Sequence, residues 1–164
     1  MNSACVHSLV GIVAVVFIIS GPGDCLAQKG DKTMQNSSNN IVTKDFEGVV
    51  FDAEKKAFWW ELQKTISYWT PGTPEIIQAE SLIASYLKEH APAIYKKLKT
   101  YKRQYAGVVI DGKQCVFANF FCNDHGRDWK KDEVIVEDGG DCYFQITVDL
   151  TLKQCFNLHV NGEA

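Results

Sequence analysis

The spacing of apolar residues changes once along the chain, near Gly107. Upstream, apolar positions recur at three- and four-residue intervals, the period of a helix with one buried face. The clearest case is TPEIIQAESLIASYLKEHAP, where Ile76, Ala79, Ile83, Tyr86 and Leu87 form one stripe. Thr73 is expected as its N-cap and Pro74 as its first helical residue, with Glu75 in the first turn, where the helix dipole favours an anion. Before it, FEGVVF reads as a short strand. Asp52 is then expected to cap a helix over AEKKAFWWELQKTISYW, in which Phe58, Leu62, Ile66 and Trp69 share a face. Pro92 interrupts the capped helix at Ala91. A further helix, AIYKKLKTYKRQY, is predicted after it with Ile94, Leu98, Tyr101 and Tyr105 inward.

Downstream of Gly107 the pattern alternates to the end of the chain, as half-buried strands do. Asp111-Gly112 is expected to turn one hairpin and Gly139-Gly140 another. Cys142, Phe144, Ile146 and Val148 fall on one face of a strand, and Phe156, Leu158 and Val160 on one face of the next; both sets are expected in the core. Tyr143, Gln145, Thr147, Asn157 and His159 then face outward or into a cleft. N-terminal helices followed by an antiparallel β-meander define an α+β fold, with the long helix on one face of the sheet.

The N-terminus changes this picture. Leu9–Ile19 is an uninterrupted apolar run of signal-peptide length, followed by Gly21 and Pro22. Cys25 and Ala27 are small residues at positions −3 and −1 of a cut after Ala27, so residues 1–27 are read as a secretory signal. The alternative is a retained anchor, because the first residues carry no Lys or Arg. Residues 28–44 are polar at their start and are read as a flexible leader, and residues 45–164 as one α+β domain. Cleavage removes Asp24 and moves the formal charge from −3 to −2, a balance without global attraction to nucleic acid. It also removes Cys5 and Cys25 and leaves Cys115, Cys122, Cys142 and Cys155, an even set that suits disulfides in a secreted or periplasmic chain. Three connectivities are open. A simple meander favours Cys115–Cys142 with Cys122–Cys155, although an intervening strand sets such α-carbons about 10 Å apart, beyond ordinary disulfide reach.

The element order resembles the cystatin-like arrangement, which includes the nuclear-transport-factor-like pocket proteins. Cystatin inhibitors use a Q-x-V-x-G hairpin and a Pro-Trp pair. The nearest string here is QYAGV at Gln104, and there is no Pro-Trp. From Tyr68 to Ala164, the pieces YWTP, YKRQYAGVVIDGK, NFFCNDH, EDGGDCYFQITVDL and VNGEA are similar to a group of small, exported, largely uncharacterised bacterial proteins. That resemblance implies export and an α+β domain, and it carries over no activity.

Candidate chemistry concentrates in FFCNDHGRDW. A Cys122–His125 nucleophile needs a base in reach and an oxyanion hole, but the two lie three apart in what reads as a loop leaving a strand, and no helix starts there. A disulfide at Cys122, with Asn123, Asp124 and Gly126 making a turn, accounts for the stretch better. His125 with Asp124, Asp128 or Asp132, and His159 from the last strand, are the available metal donors. They match no zinc or calcium spacing, and no metal or cofactor is expected. In KKLKTYKRQY, a helix would bring Lys99, Lys102 and Arg103 together for a phosphate; the acidic stretch Asp124–Asp141 offers the simpler counter-surface. Trp59, Trp60, Tyr68 and Trp69 supply core or pocket-lining area, and Tyr143, Gln145 and His159 are the polar candidates for such a pocket. The leading expectation is a monomeric or homodimeric binding domain for a protein or small-molecule ligand, without stable membrane insertion after cleavage. The alternative is a small pocket enzyme, an isomerase or hydrolase of the nuclear-transport-factor-like type, using His159 or His125 as acid/base.

Overall fold

The computed structural model describes residues 39–55 and 65–163. Within them lie strand β1 (Asn40–Val42), β2 (Glu47–Phe51), a short 3₁₀ turn at Ala53–Lys55, and β3 (Thr65–Trp69). Helix α1 (Thr73–His90) and helix α2 (Pro92–Lys97) follow, then β4 (Lys102–Ile110), β5 (Lys113–Phe121), β6 (Tyr143–Asp149) and β7 (Gln154–Val160). The expectation of α+β therefore stands at class level. The expected signal segment and most of the expected leader lie outside the described residues. The sheet already begins at Asn40, inside the expected leader, where β1 pairs antiparallel with β2.

All seven strands belong to one sheet in the order β1-β2-β4-β5-β6-β7. β2 and β3 share the remaining edge of β4: β2 runs parallel to Lys102–Ala106, and β3 antiparallel to Gly107–Ile110. The handover falls at Gly107, where a Cβ would meet the Trp69 carbonyl oxygen at 2.3 Å. Only glycine lets the two backbones approach so closely. The helix expected over Ala53–Trp69 is thus corrected at its C-terminal end, which is strand. Ile66 and Trp69, three apart, satisfy a helical period, but β4 offers an edge, and pairing overrides the local preference. Residues 56–64 lie outside the described residues.

α1 begins as expected with one residue of shift. Gly72 is the N-cap, and Glu75 accepts its backbone N–H at 3.0 Å, which satisfies one of the orphan donors of the first turn. Its stripe of Ile76, Ala79, Ile83 and Leu87 packs on Val116, Ala118, Phe120, Phe144, Ile146 and Val148. The second helix is much shorter than expected. It ends in a 3₁₀ turn at Leu98–Thr100, and Tyr101 and Tyr105, buried as expected, are carried by β4 and its approach rather than by a helix. The Asp111-Gly112 hairpin forms as expected, both residues having positive φ, as a two-residue hairpin requires.

The second expected hairpin does not form. Residues 122–139 contain no strand and cross the sheet as a long strap. One further correction concerns β7. A bulge opposite Gln145–Thr147, where Asn157 takes φ 52°, shifts the alternation. Leu158 and Cys155 consequently pack toward α1, while Phe156 packs on the opposite face and Val160 is exposed.

Candidate functional site

The sheet face opposite α1 carries side chains in rows that run straight across the strands. One row is Gln104 on β4, Asn119 on β5, Gln145 on β6 and His159 on β7, each in register with the next. An adjacent row is Lys102, Phe121 and Tyr143. The strap lies over this end of the face, where Trp129 and Val134 join Val49, Phe51, Ala106, Phe121 and Tyr143 in a small apolar cluster. Lys102 and Lys130 stand over the Trp129 ring at 5.4 and 5.2 Å.

Side-chain amides, not a strand ladder, satisfy the strap's buried backbone. Gln104 Nε2 donates to the carbonyls of Trp129 at 2.6 Å and Asp132 at 2.8 Å. Val134 N–H donates to Gln104 Oε1 at 3.1 Å, and Asn119 Nδ2 donates to the Val134 carbonyl at 2.9 Å. Asn161 Nδ2 donates to the carbonyls of Val136 and Asp138. A buried backbone group left without a partner costs about 1–3 kcal/mol, so these three amides are what allow an irregular segment to cover a sheet. No spacing rule marks Gln104 or Asn119, and their role is visible only once β4 and β5 are in register.

FFCNDHGRDW spans the end of β5 and the start of the strap, and Cys122 is bonded to Cys142. The thiolate that a Cys-His nucleophile needs does not exist. Asn123 Oδ1 accepts the His125 N–H at 2.9 Å and Asp124 Oδ1 the Gly126 N–H at 3.0 Å, the expected turn. His125 and Gly126 take φ 53° and 74°. Tyr143 is buried beneath this turn, with its hydroxyl 2.7 Å from His125 Nε2 and donating to the Asn123 carbonyl at 3.2 Å. Burial, then the nearby Asp124 charge, raises the Tyr143 pKa. Tyr143 thus belongs to the docking of the strap.

The expected disulfide pairing is corrected. Cys115 and Cys155 are free thiols. Cys115 packs with Val108 and Phe117 on the strap face, whereas Cys155 packs toward α1. β6 separates their strands and the two point to opposite sides of it, so no bond between them is possible. Burial, the largest cause in each case, pushes both thiols up to about 11.

The basic run does not gather into a phosphate site. Lys99 pairs with Asp45 at 2.7 Å and Lys102 with Asp124 at 2.5 Å. Arg103 is buried under α1, where its Nε meets Glu80 at 3.1 Å and its other nitrogens donate to the Leu98 and Tyr101 carbonyls. Tyr105 donates to Glu80 at 2.7 Å. Burial raises the Glu80 pKa; Arg103 and Tyr105 pull the other way. Lys97–Asp141, at 2.7 Å, joins Lys102–Asp124 in making the acidic stretch an intramolecular counter-surface. Among the described residues, no three His, Cys, Asp or Glu side chains are grouped to hold a metal ion.

At the far end of the strap face lies an open groove of about 220 Å³, lined by Ile110, Lys113, Cys115, Asp149, Leu152 and Phe156. Asp149 Oδ1 accepts the Thr151 and Leu152 N–H groups and fixes the β6–β7 turn. Neither His125 nor His159 lines this groove. Between groove and strap, Thr147 is fully buried and its hydroxyl has no hydrogen-bond partner among the described residues. Gln145 is half-buried and His159 exposed, side by side at the end of the polar row. Comparison of the chain with protein-family models, with curated proteins and with solved structures gives no match.

Proposed function

We propose that the chain is an exported binding domain that recognises its ligand on the sheet face opposite α1. The observation that carries this reading is the polar row itself. Its inner half, Gln104 and Asn119, is consumed by the strap, while its outer half, Gln145 and His159, stands beside the strap with capacity to spare. A disulfide suits an oxidising compartment, and Cys122–Cys142 supports export into the secreted or periplasmic space. No helix among the described residues is long and apolar enough to cross a membrane. α1 lying across the antiparallel β5–β6 surface supports a cystatin-like classification, and the motifs of the C-terminal half support kinship with the small exported bacterial group.

The enzyme alternative calls for a histidine inside an enclosed pocket. His125 and His159 are both exposed, so the geometry supports binding over acid/base catalysis. The test is a thermal-shift screen of the oxidised protein against panels of peptides, oligosaccharides and small metabolites, followed by NMR titration of each hit. The expected result is stabilisation with shifts centred on Gln145 and His159. Turnover of a panel member that is lost in His159→Ala or His125→Ala would overturn the reading in favour of the enzyme.

A further inference from the structure

The binding reading extends to a class of partner, and the assignment of that partner rests on the reading. Gln104 and Asn119 are cross-strand neighbours that hold both polar groups of a single peptide residue, the N–H and the C=O of Val134. Gln145 and His159 are the next cross-strand pair along the same row, on β6 and β7. The amides between the two pairs are aligned head to tail: Gln145 Nε2 donates to Asn119 Oδ1 at 3.1 Å, and Asn119 Nδ2 donates to Gln104 Oε1 at 3.2 Å. Gln145 Oε1 is thereby left as the acceptor at the open end of the chain, and alignment of this kind strengthens each successive bond. The strap leaves this row after Asn119 and turns to Asn161 beyond the end of β7. It therefore occupies the first pair and passes beside the second.

We infer that Gln145 and His159 form a second backbone clamp, which takes an extended peptide segment of another protein laid alongside the strap. Gln145 Oε1 accepts a peptide N–H, and the His159 imidazole donates to the carbonyl of the same segment. Phe156, half-buried on the same face, offers an apolar wall for one peptide side chain. Neither member of the clamp is an obligate ion, so the segment is held by its backbone and selected by one apolar contact rather than by charge.

The experiment is selection of phage-displayed random linear peptides on the oxidised, exported chain, then titration of synthetic copies against wild type, Gln145→Ala, His159→Ala and Ile77→Ser. Ile77 is exposed on α1 and serves as the control, and each variant is first shown to melt as the wild type does. Each clamp variant is expected to weaken binding by about five- to tenfold, the value of one hydrogen bond, and the control to leave it unchanged. Methylation of a single peptide nitrogen should reproduce that loss. If the selected peptides bind both variants as well as wild type, the clamp is overturned and the binding-domain reading survives. Slowed amide exchange confined to β7 would then place the peptide on the sheet edge instead. If no linear peptide is selected, the clamp is likewise overturned, and the binding face is left to folded or non-peptide ligands.

Discussion

The two faces of the sheet are covered by different physical means. Toward α1, closure comes from apolar area: Phe120 and Phe144 stack at 4.4 Å, Tyr101 meets both edge-on, and the helix stripe lies over them. The charged pair there is Arg103 with Glu80: Arg103 is 1% exposed, its guanidinium bonds Glu80 and two carbonyls, and it lies over the Phe46 and Phe120 rings. Toward the strap, a smaller apolar cluster around Trp129 and Val134 is fixed in place by directed hydrogen bonds of Gln104, Asn119 and Asn161 and by one disulfide. Area burial is non-directional and tolerates small shifts, whereas each hydrogen bond fixes one atom against another. The helix face therefore sets the stability of the domain. The strap face sets a shape, and it leaves polar atoms at its margin that another molecule can use.

The largest effect should come from the helix face. Arg103→Ala strands Glu80 in the core and removes two carbonyl partners, at an expected cost of about 3–5 kcal/mol by urea denaturation. A loss below about 1 kcal/mol would mean that the buried Arg103–Glu80 pair does not hold this face together. Next, Cys122→Ser with Cys142→Ser opens a 20-residue separation and should cost about 2–4 kcal/mol. Amide exchange should then quicken in the strap while the α1 core keeps its protection; uniform quickening would merge the two faces into one unit. Gln104→Ala leaves the Val134 N–H and the Trp129 and Asp132 carbonyls without their partner and should cost about 1–3 kcal/mol, with faster exchange at Val134. Unchanged exchange there would remove the amides from their role as the strap's anchors. The smallest effect is a gain: Thr147→Val replaces an unpartnered buried hydroxyl and should stabilise by about 1 kcal/mol, seen as a raised melting temperature.

Legibility in the amino-acid sequence divides in the same way. The stripe of α1, the strand Glu47–Phe51 and the Asp111-Gly112 turn are all local signals, and each appears where its residues place it. The strap is not legible. EVIVEDGG alternates and ends in two glycines like half of a hairpin, but its backbone is held by the side chains of Gln104, Asn119 and Asn161, and no local period encodes those. β3 escapes a local reading because Ile66 and Trp69 fit a helix, while the edge of β4 that claims them lies some 40 residues downstream. Alternation alone places Tyr143, Gln145 and His159 on one face. Which of them stays accessible depends on the path of the strap, which hides Tyr143 and spares the other two. The cysteines divide likewise: the evenness of the set suggests two bonds, whereas the register of β5, β6 and β7 permits one.

Cys115 and Cys155 are natural reporters of the two faces, and their alkylation tests the account most directly. The protein would be treated with iodoacetamide at pH 8 in native buffer, then in denaturant without reductant, then after reduction, with intact mass and peptide mapping at each step. With both thiols raised to about 11 by burial, little modification is expected in native buffer. Denaturation alone should then label Cys115 and Cys155, and reduction should add Cys122 and Cys142. Rapid native labelling of Cys122, or four cysteines that all resist labelling until reduction, would contradict the placement of these residues and with it the two-faced sheet.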